Sequence, residues 1–94
     1  MLTPPDDKVQ IYISGALHGN ERLGPQVSYY LIEFLVNNYG IDSYITNLLK
    51  TREIIITPMT NAVGFYYNER EERMGGSASM YTKSIDINRD FPYN

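Results

Sequence analysis

The stretch Val9-Gln-Ile-Tyr-Ile-Ser-Gly-Ala-Leu-His18-Gly-Asn-Glu21-Arg-Leu-Gly24-Pro25 decides the fold. Val9 to Ile13 is β-branched and aromatic and alternates loosely, so it reads as a strand. The strand ends at Ser14-Gly15, and the loop Ala16 to Asn20 follows. Gly24-Pro25 then opens a helix, because a proline in the first turn lacks only an N–H that has no helical partner there. Val27, Tyr30, Leu31, Phe34 and Leu35 recur at helical spacing and predict an inward face, with the helix ending around Asn37 to Gly40.

Downstream, a second and shorter helix is predicted over Ser43 to Lys50. Asp42 or Ser43 would cap it, and Ile45, Leu48 and Leu49 would point inward. Glu53-Ile-Ile-Ile-Thr57 is a continuous apolar run stopped by Pro58, the pattern of a strand covered on both faces. From Thr60 to Tyr81 the periodicity gives way to a polar and glycine-rich loop. Ser84 to Pro92 reads as a short extended segment entering a turn. Strand, helix, helix, strand is the order of an α/β sheet protein. In such sheets ligands gather at the carboxyl ends of the strands. The segments His18 to Glu21 and Asn61 to Arg70 both follow predicted strands.

Composition narrows the chemistry. With 94 residues the chain is one small domain or part of a larger one. A chain of this size buries only roughly 60–65% of its unfolded surface, which leaves an unaided core marginal. The net charge of -3 gives no electrostatic footprint for nucleic acid or for an anionic membrane surface. No apolar run approaches the length of a membrane span. Met1 to Lys8 lacks the basic and apolar regions of a signal peptide. The absence of cysteine excludes disulfides and thiolate-held metals, so a zinc ion would need nitrogen and oxygen donors. With a single histidine, residues 1–94 cannot complete a site that uses two imidazoles.

Three constellations carry chemistry. In His18-Gly-Asn-Glu21, an imidazole and a carboxylate three residues apart on a turn after a strand can face one cation. Taken alone, such a pair is more often a solvated turn or a cap. In Asn88-Arg89, the guanidinium fork matches a carboxylate and the neighbouring amide can donate to one of its oxygens. The plain alternatives are an ion pair with Asp86 or Asp90, or a solvated arginine. Asn61-Ala-Val-Gly64 reads as a turn and Glu69-Arg-Glu-Glu-Arg73 as a solvated charge run. An arginine reaching from that run could stabilise an oxyanion, an effect worth on the order of 3 kcal/mol in comparable sites.

These blocks, in this order, resemble the zinc metallocarboxypeptidases, the superfamily of the pancreatic carboxypeptidases A and B. The likeness rests on Gly15-Ala-Leu-His18-Gly-Asn-Glu21-Arg-Leu-Gly24-Pro25, Pro58-Met-Thr-Asn61-Ala-Val-Gly64-Phe65 and Asp86-Ile-Asn88-Arg89-Asp-Phe91-Pro92, and runs from about Val9 to Pro92. The resemblance implies an α/β fold: part of a three-layer structure, truncated, with a central mixed sheet flanked by helices. It makes residues 1–94 the N-terminal part of a peptidase catalytic domain. It implies a carboxypeptidase that takes peptide or protein C-termini as substrate and uses one zinc ion. His18 and Glu21 would be the first two zinc ligands, and Asn88 and Arg89 would bind the terminal carboxylate. Arg70 would polarise the scissile carbonyl, with Arg73 as the reserve for that role.

The chain departs from the family pattern where Ala62-Val63 replaces Pro-Asp and Asp90 replaces the commoner Asn. Family members supply the third zinc ligand, a His, and the catalytic Glu downstream of the Asn-Arg pair, and residues 1–94 contain neither. Two rivals share parts of the pattern. One is a zinc deacylase of the aspartoacylase and succinylglutamate desuccinylase type. The other is a non-catalytic binding module that keeps the fold.

Overall fold

A computed structural model describes residues 8–73 and 84–92. Strand β1 (Val9–Ser14) leads through the His18 loop into helix α1 (Leu23–Asn38), and helix α2 (Ser43–Thr51) returns the chain to strand β2 (Arg52–Thr57). A short helix α3 (Ala62–Tyr67) and two-residue strands β3 (Glu72–Arg73) and β4 (Ser84–Ile85) follow, and Ile87–Arg89 forms a 3-10 turn. β1 and β2 pair in parallel, with Ile11 opposite Ile54 and Ile13 opposite Ile56. β3 and β4 form a separate antiparallel ladder that sets Glu72 against Ile85. The α/β class and the helix-flanked sheet follow the sequence reading.

Local sequence explains the boundaries. Pro25 is the third residue of α1, where its missing N–H costs nothing. α1 ends at Asn38, and Gly40 then turns with φ +83, in the left-handed region where glycine is unstrained. Asp42 caps α2 by accepting the Ile45 N–H at 2.9 Å, a contact worth about 1 kcal/mol.

Both helices lie on the sheet face carrying Ile54 and Ile56, where an apolar cleft of about 230 Å³ is lined by Ile32, Leu35, Val36, Leu49 and these two strand residues. Leu35 and Ile45 are buried. Burial of this kind stabilises by about 1.5–3 kcal/mol per side chain.

Two expectations about faces need correction. The buried stripe of α1 is Pro25, Ser28 and Leu35, whereas Val27, Tyr30 and Phe34, expected inward, are exposed. Nothing among the described residues packs on that flank. β2 is likewise covered on one face only: Tyr12 and Ile55, paired across the ladder, are exposed on the other. The segment expected to be loop from Thr60 also contains α3. The periodicity missed this helix because six residues give too few turns to register, and its cap is the buried Asn61. Of the long loop expected from Glu71 to Tyr81, residues 74–81 lie outside the described residues.

Candidate active site

The loop after β1 and the loop after β2 are laced together at the carboxyl ends of the two strands. The Gly15 N–H donates to the Thr57 carbonyl at 2.9 Å, the Thr60 N–H to the Gly15 carbonyl at 2.9 Å, and the Asn61 N–H to the Ala16 carbonyl at 2.9 Å. Ala16 holds φ +51, an unfavourable conformation for a residue with a Cβ, and there the chain swings His18 inward. Gly19 lies where a Cβ would collide with the backbones of Gly64, Phe65 and Glu69. Only glycine allows this approach, and the Gly19 N–H uses it to donate to the Arg70 carbonyl at 3.0 Å.

Asn61 is the largest fully buried side chain among the described residues. Its Oδ1 accepts the Gly64 N–H at 2.9 Å and starts α3, while Nδ2 donates to the Arg70 carbonyl at 3.4 Å. The turn residue of the sequence reading is therefore a helix cap that also anchors the Arg70 segment.

His18 is 6% exposed. Its Nε2 lies 2.8 Å from Asp86 Oδ1. Burial raises the Asp86 pKa, but the hydrogen bonds from His18 and the Asn88 N–H, with the His18 and Arg70 charges, outweigh it and leave the carboxyl below its usual range. An ionised carboxylate only accepts, so the shared proton belongs to Nε2. Nδ1, the other ring nitrogen, faces Glu21 Oε2 at 3.3 Å. A neutral imidazole in this tautomer presents a lone pair there, and a lone pair facing a carboxylate oxygen calls for a positive charge between or upon them. A proton on Nδ1 or a shared metal ion would provide it. Two ligands on a tetrahedral zinc, at about 2.0–2.2 Å each, sit about 3.4 Å apart, so this donor pair fits the ion. The Nε2 contact to a carboxylate is the usual device for orienting a metal-bound imidazole. Among the described residues, no three His, Asp or Glu side chains converge to hold a metal.

Arg70 completes the cluster. Its Nη1 is 3.4 Å from Glu21 Oε1 and its Nη2 is 3.2 Å from Asp86 Oδ2. Arg73 points elsewhere: it forms a two-pronged pair with Glu69 at 2.7 and 2.8 Å and lies over the Tyr67 ring, 4.1 Å from its centre. The structure thus brings His18, Glu21 and Arg70 together and leaves Arg73 out. Asn88 and Arg89 sit on the exposed side of the 3-10 turn Ile87–Arg89, which Asp86 caps. Among the described residues no hydrogen bond or ion pair joins their side chains to His18, Glu21 or Arg70, and Arg89 pairs with neither Asp86 nor Asp90.

Two participants escaped the sequence reading. In the sequence Asp86 stands out only as a partner for Arg89, and its place two residues before Asn88 is the available signal. Arg22, next to Glu21, had none, because its partners on α3 are distant in the chain.

Comparison with known proteins addresses the family and the fold. The sequence model of the zinc carboxypeptidase family matches residues 3–94. The chain is 35% identical over 78 residues to carboxypeptidase D of Anas platyrhynchos, covering 83% of this chain and 6% of that protein. It is 31% identical over 94 residues to carboxypeptidase M of Mus musculus, covering 96% of this chain and 21% of that protein. The crystal structure of thrombin activatable fibrinolysis inhibitor superposes with a TM-score of 0.75 at 24% identity, over 95% of this chain and 23% of that one, and shares its fold. The chain spans less than a quarter of each of these proteins. With a family match running nearly end to end, the chain belongs to the zinc carboxypeptidase family.

Proposed function

We propose that residues 1–94 are the N-terminal part of the catalytic domain of a zinc-dependent carboxypeptidase that releases C-terminal amino acids from peptides. The observation that carries this reading is the 3.3 Å approach of His18 Nδ1 and Glu21 Oε2, two atoms of metal-ligating type set face to face on one turn. When bound, zinc supplies an acidified water and a Lewis acid at the scissile carbonyl. His18 and Glu21 hold the ion, and Asp86 keeps the imidazole in the tautomer that leaves Nδ1 free. Arg70, beside Glu21, faces the oxygen on which negative charge develops. Asn88 and Arg89, without a carboxylate partner among the described residues on their exposed turn, take the substrate's terminal carboxylate through the amide and the guanidinium fork.

His18 and Glu21 are two donors, and catalytic zinc sites use three protein ligands. Residues 1–94 alone are therefore expected to bind zinc weakly and to turn over no substrate. Metal analysis after dialysis checks this; near-stoichiometric retained zinc or measurable turnover contradicts it. A polypeptide carrying this segment together with a further His and Glu is assayed on a peptide with a free C-terminus and on an N-acyl amino acid. Cleavage of the first supports the peptidase, and cleavage of the second alone replaces it with a deacylase.

A further inference from the structure

Arg22 is a site-flanking cation that the proposed chemistry does not use. It stands immediately after Glu21 at the start of α1, and its side chain reaches away from the carboxylates. Its Nη2 donates to the Phe65 carbonyl at 2.6 Å and its Nε to Asn68 Oδ1 at 3.2 Å, while the guanidinium stacks over the Phe65 ring at 4.3 Å. Phe65 and Asn68 form the carboxyl end of α3, where the carbonyls can accept a further donor and a cation is favoured. Asn68 is the left-handed cap of that helix, with φ +57, and its N–H bonds back to the carbonyls of Gly64 and Phe65. The chain runs on from Asn68 through Glu69 to Arg70, whose guanidinium returns to Glu21 at 3.4 Å.

These contacts close a ring. Glu21 is bonded to Arg22, Arg22 grips the end of α3, that end leads to Arg70, and Arg70 touches Glu21. We propose that Arg22 is a positioning residue that fixes Glu21 at its distance from Arg70. This assignment rests on the reading of Glu21 as a ligand and Arg70 as the oxyanion group. Without the strut, the turn Gly19–Glu21 and the tail Asn68–Arg70 would be held together by weaker ties: the Gly19–Arg70 backbone bond, the long Glu21–Arg70 pair and the indirect link from Arg70 through Asp86 to His18. The planar fork is needed as well as the charge: it spans a carbonyl and an amide oxygen while lying flat on a ring, and an ammonium group cannot reproduce this.

The test compares the chain with Arg22→Ala, Arg22→Lys and Phe65→Leu by amide hydrogen exchange without metal and by Zn²⁺ affinity. In Arg22→Ala, exchange at the Gly19 amide is expected to quicken about tenfold, the scale of one lost charged hydrogen bond, with the amides of the β1–β2 ladder unchanged. Zn²⁺ affinity is expected to fall by a similar factor. Arg22→Lys should resemble Arg22→Ala more than the parent, and Phe65→Leu should give the same Gly19 signature at smaller size. If Arg22→Ala does not fold, the other two variants carry the test. Unchanged Gly19 exchange, or ladder amides that quicken in step with it, overturns the proposal. Glu21→Gln separates the two layers: if it leaves Zn²⁺ affinity intact, the ligand assignment falls, and Gly19 exchange still decides the role of Arg22.

Discussion

Asp86 Oδ1 lies 2.8 Å from Nε2 of His18, and this single contact ties the last described turn of the chain to the first loop, 68 residues earlier. It fixes both the ring plane and the proton. Removing it frees the imidazole to rotate and to carry its proton on either nitrogen. Partners of this kind are worth about 10–100-fold in metal affinity. Asp86→Ala is therefore expected to weaken His18-dependent Zn²⁺ binding by that factor and to shift the ¹⁵N resonances of His18 toward a mixture of tautomers. Unchanged affinity with an unchanged tautomer would remove Asp86 from the site.

Asn61 makes a second long-range tie, and its two ends can be tested apart. Asn61→Ala loses the cap of α3 and the donor to Arg70 together, and it leaves a cavity in a fully buried place. A destabilisation of about 2–3 kcal/mol is expected, above the ~1 kcal/mol of a cap alone. Asn61→Asp keeps the acceptor but replaces the donor by a buried carboxylate facing a carbonyl. It should be at least as damaging at neutral pH and should recover in acid, where the carboxyl is protonated and donates again. Urea unfolding at two pH values checks both statements; an aspartate variant as stable as the parent at neutral pH contradicts them.

The Glu69–Arg73 pair gives a pH dependence of definite sign. The hydrogen bond from Arg73 is the main cause holding the Glu69 carboxyl below its usual range; it outweighs the opposing cost of burial, with a smaller contribution from the Arg73 charge. A carboxyl with a depressed folded pKa stabilises the fold above its unfolded pKa of about 4.3, and that stabilisation disappears as pH falls through the folded value. The pair is exposed, so its effect on stability is small. The pKa itself is the better readout. In Arg73→Gln the Glu69 carboxyl titration followed by ¹³C NMR is expected to move up toward the ordinary value, and an unmoved midpoint would show that the pair does not form in solution.

Local signals in the sequence were sufficient for β1, α1, α2 and β2 and for the candidate turn His18–Glu21. The β-branched run Val9–Ile13, the proline at position 25 and the Asp42 cap each act over a few residues, and each element formed as read. His18 and Glu21 share one turn, so their spacing was visible too. The identities of the buried residues on α1 were not, because Val27 and Phe34 are as apolar as Leu35 and only the placement of β1 and β2 chooses among them. Asp86 and Arg22 were hidden for a similar reason: each acts through a contact made across the chain. α3 was missed because its stability comes from the Asn61 cap and its packing under Gly19, with little from periodicity.

Ala16 and Gly19 flank the turn that delivers His18, and their backbones predict substitutions of opposite sign. Ala16 carries a Cβ at φ +51, where L-residues lose roughly 1–2 kcal/mol relative to the right-handed region. Glycine removes that strain but adds about 0.4–1 kcal/mol of unfolded-state entropy. Ala16→Gly should thus be neutral or stabilise by up to about 1 kcal/mol, with the Ala16 carbonyl still accepting the Asn61 N–H. Gly19→Ala has no such latitude: the new methyl meets backbone atoms of Gly64, Phe65 and Glu69, none of which can rotate away as a side-chain tip would. Either the loop lifts and breaks the bond to the Arg70 carbonyl, or α3 shifts, at a cost of about 1–3 kcal/mol or more. Thermal melting of the two variants reads the sign. Gly19→Ala should also loosen His18, seen as broadened ring resonances, whereas Ala16→Gly should leave them sharp. Similar stability for Gly19→Ala and the parent would mean that the two loops are further apart in solution than their backbones are here.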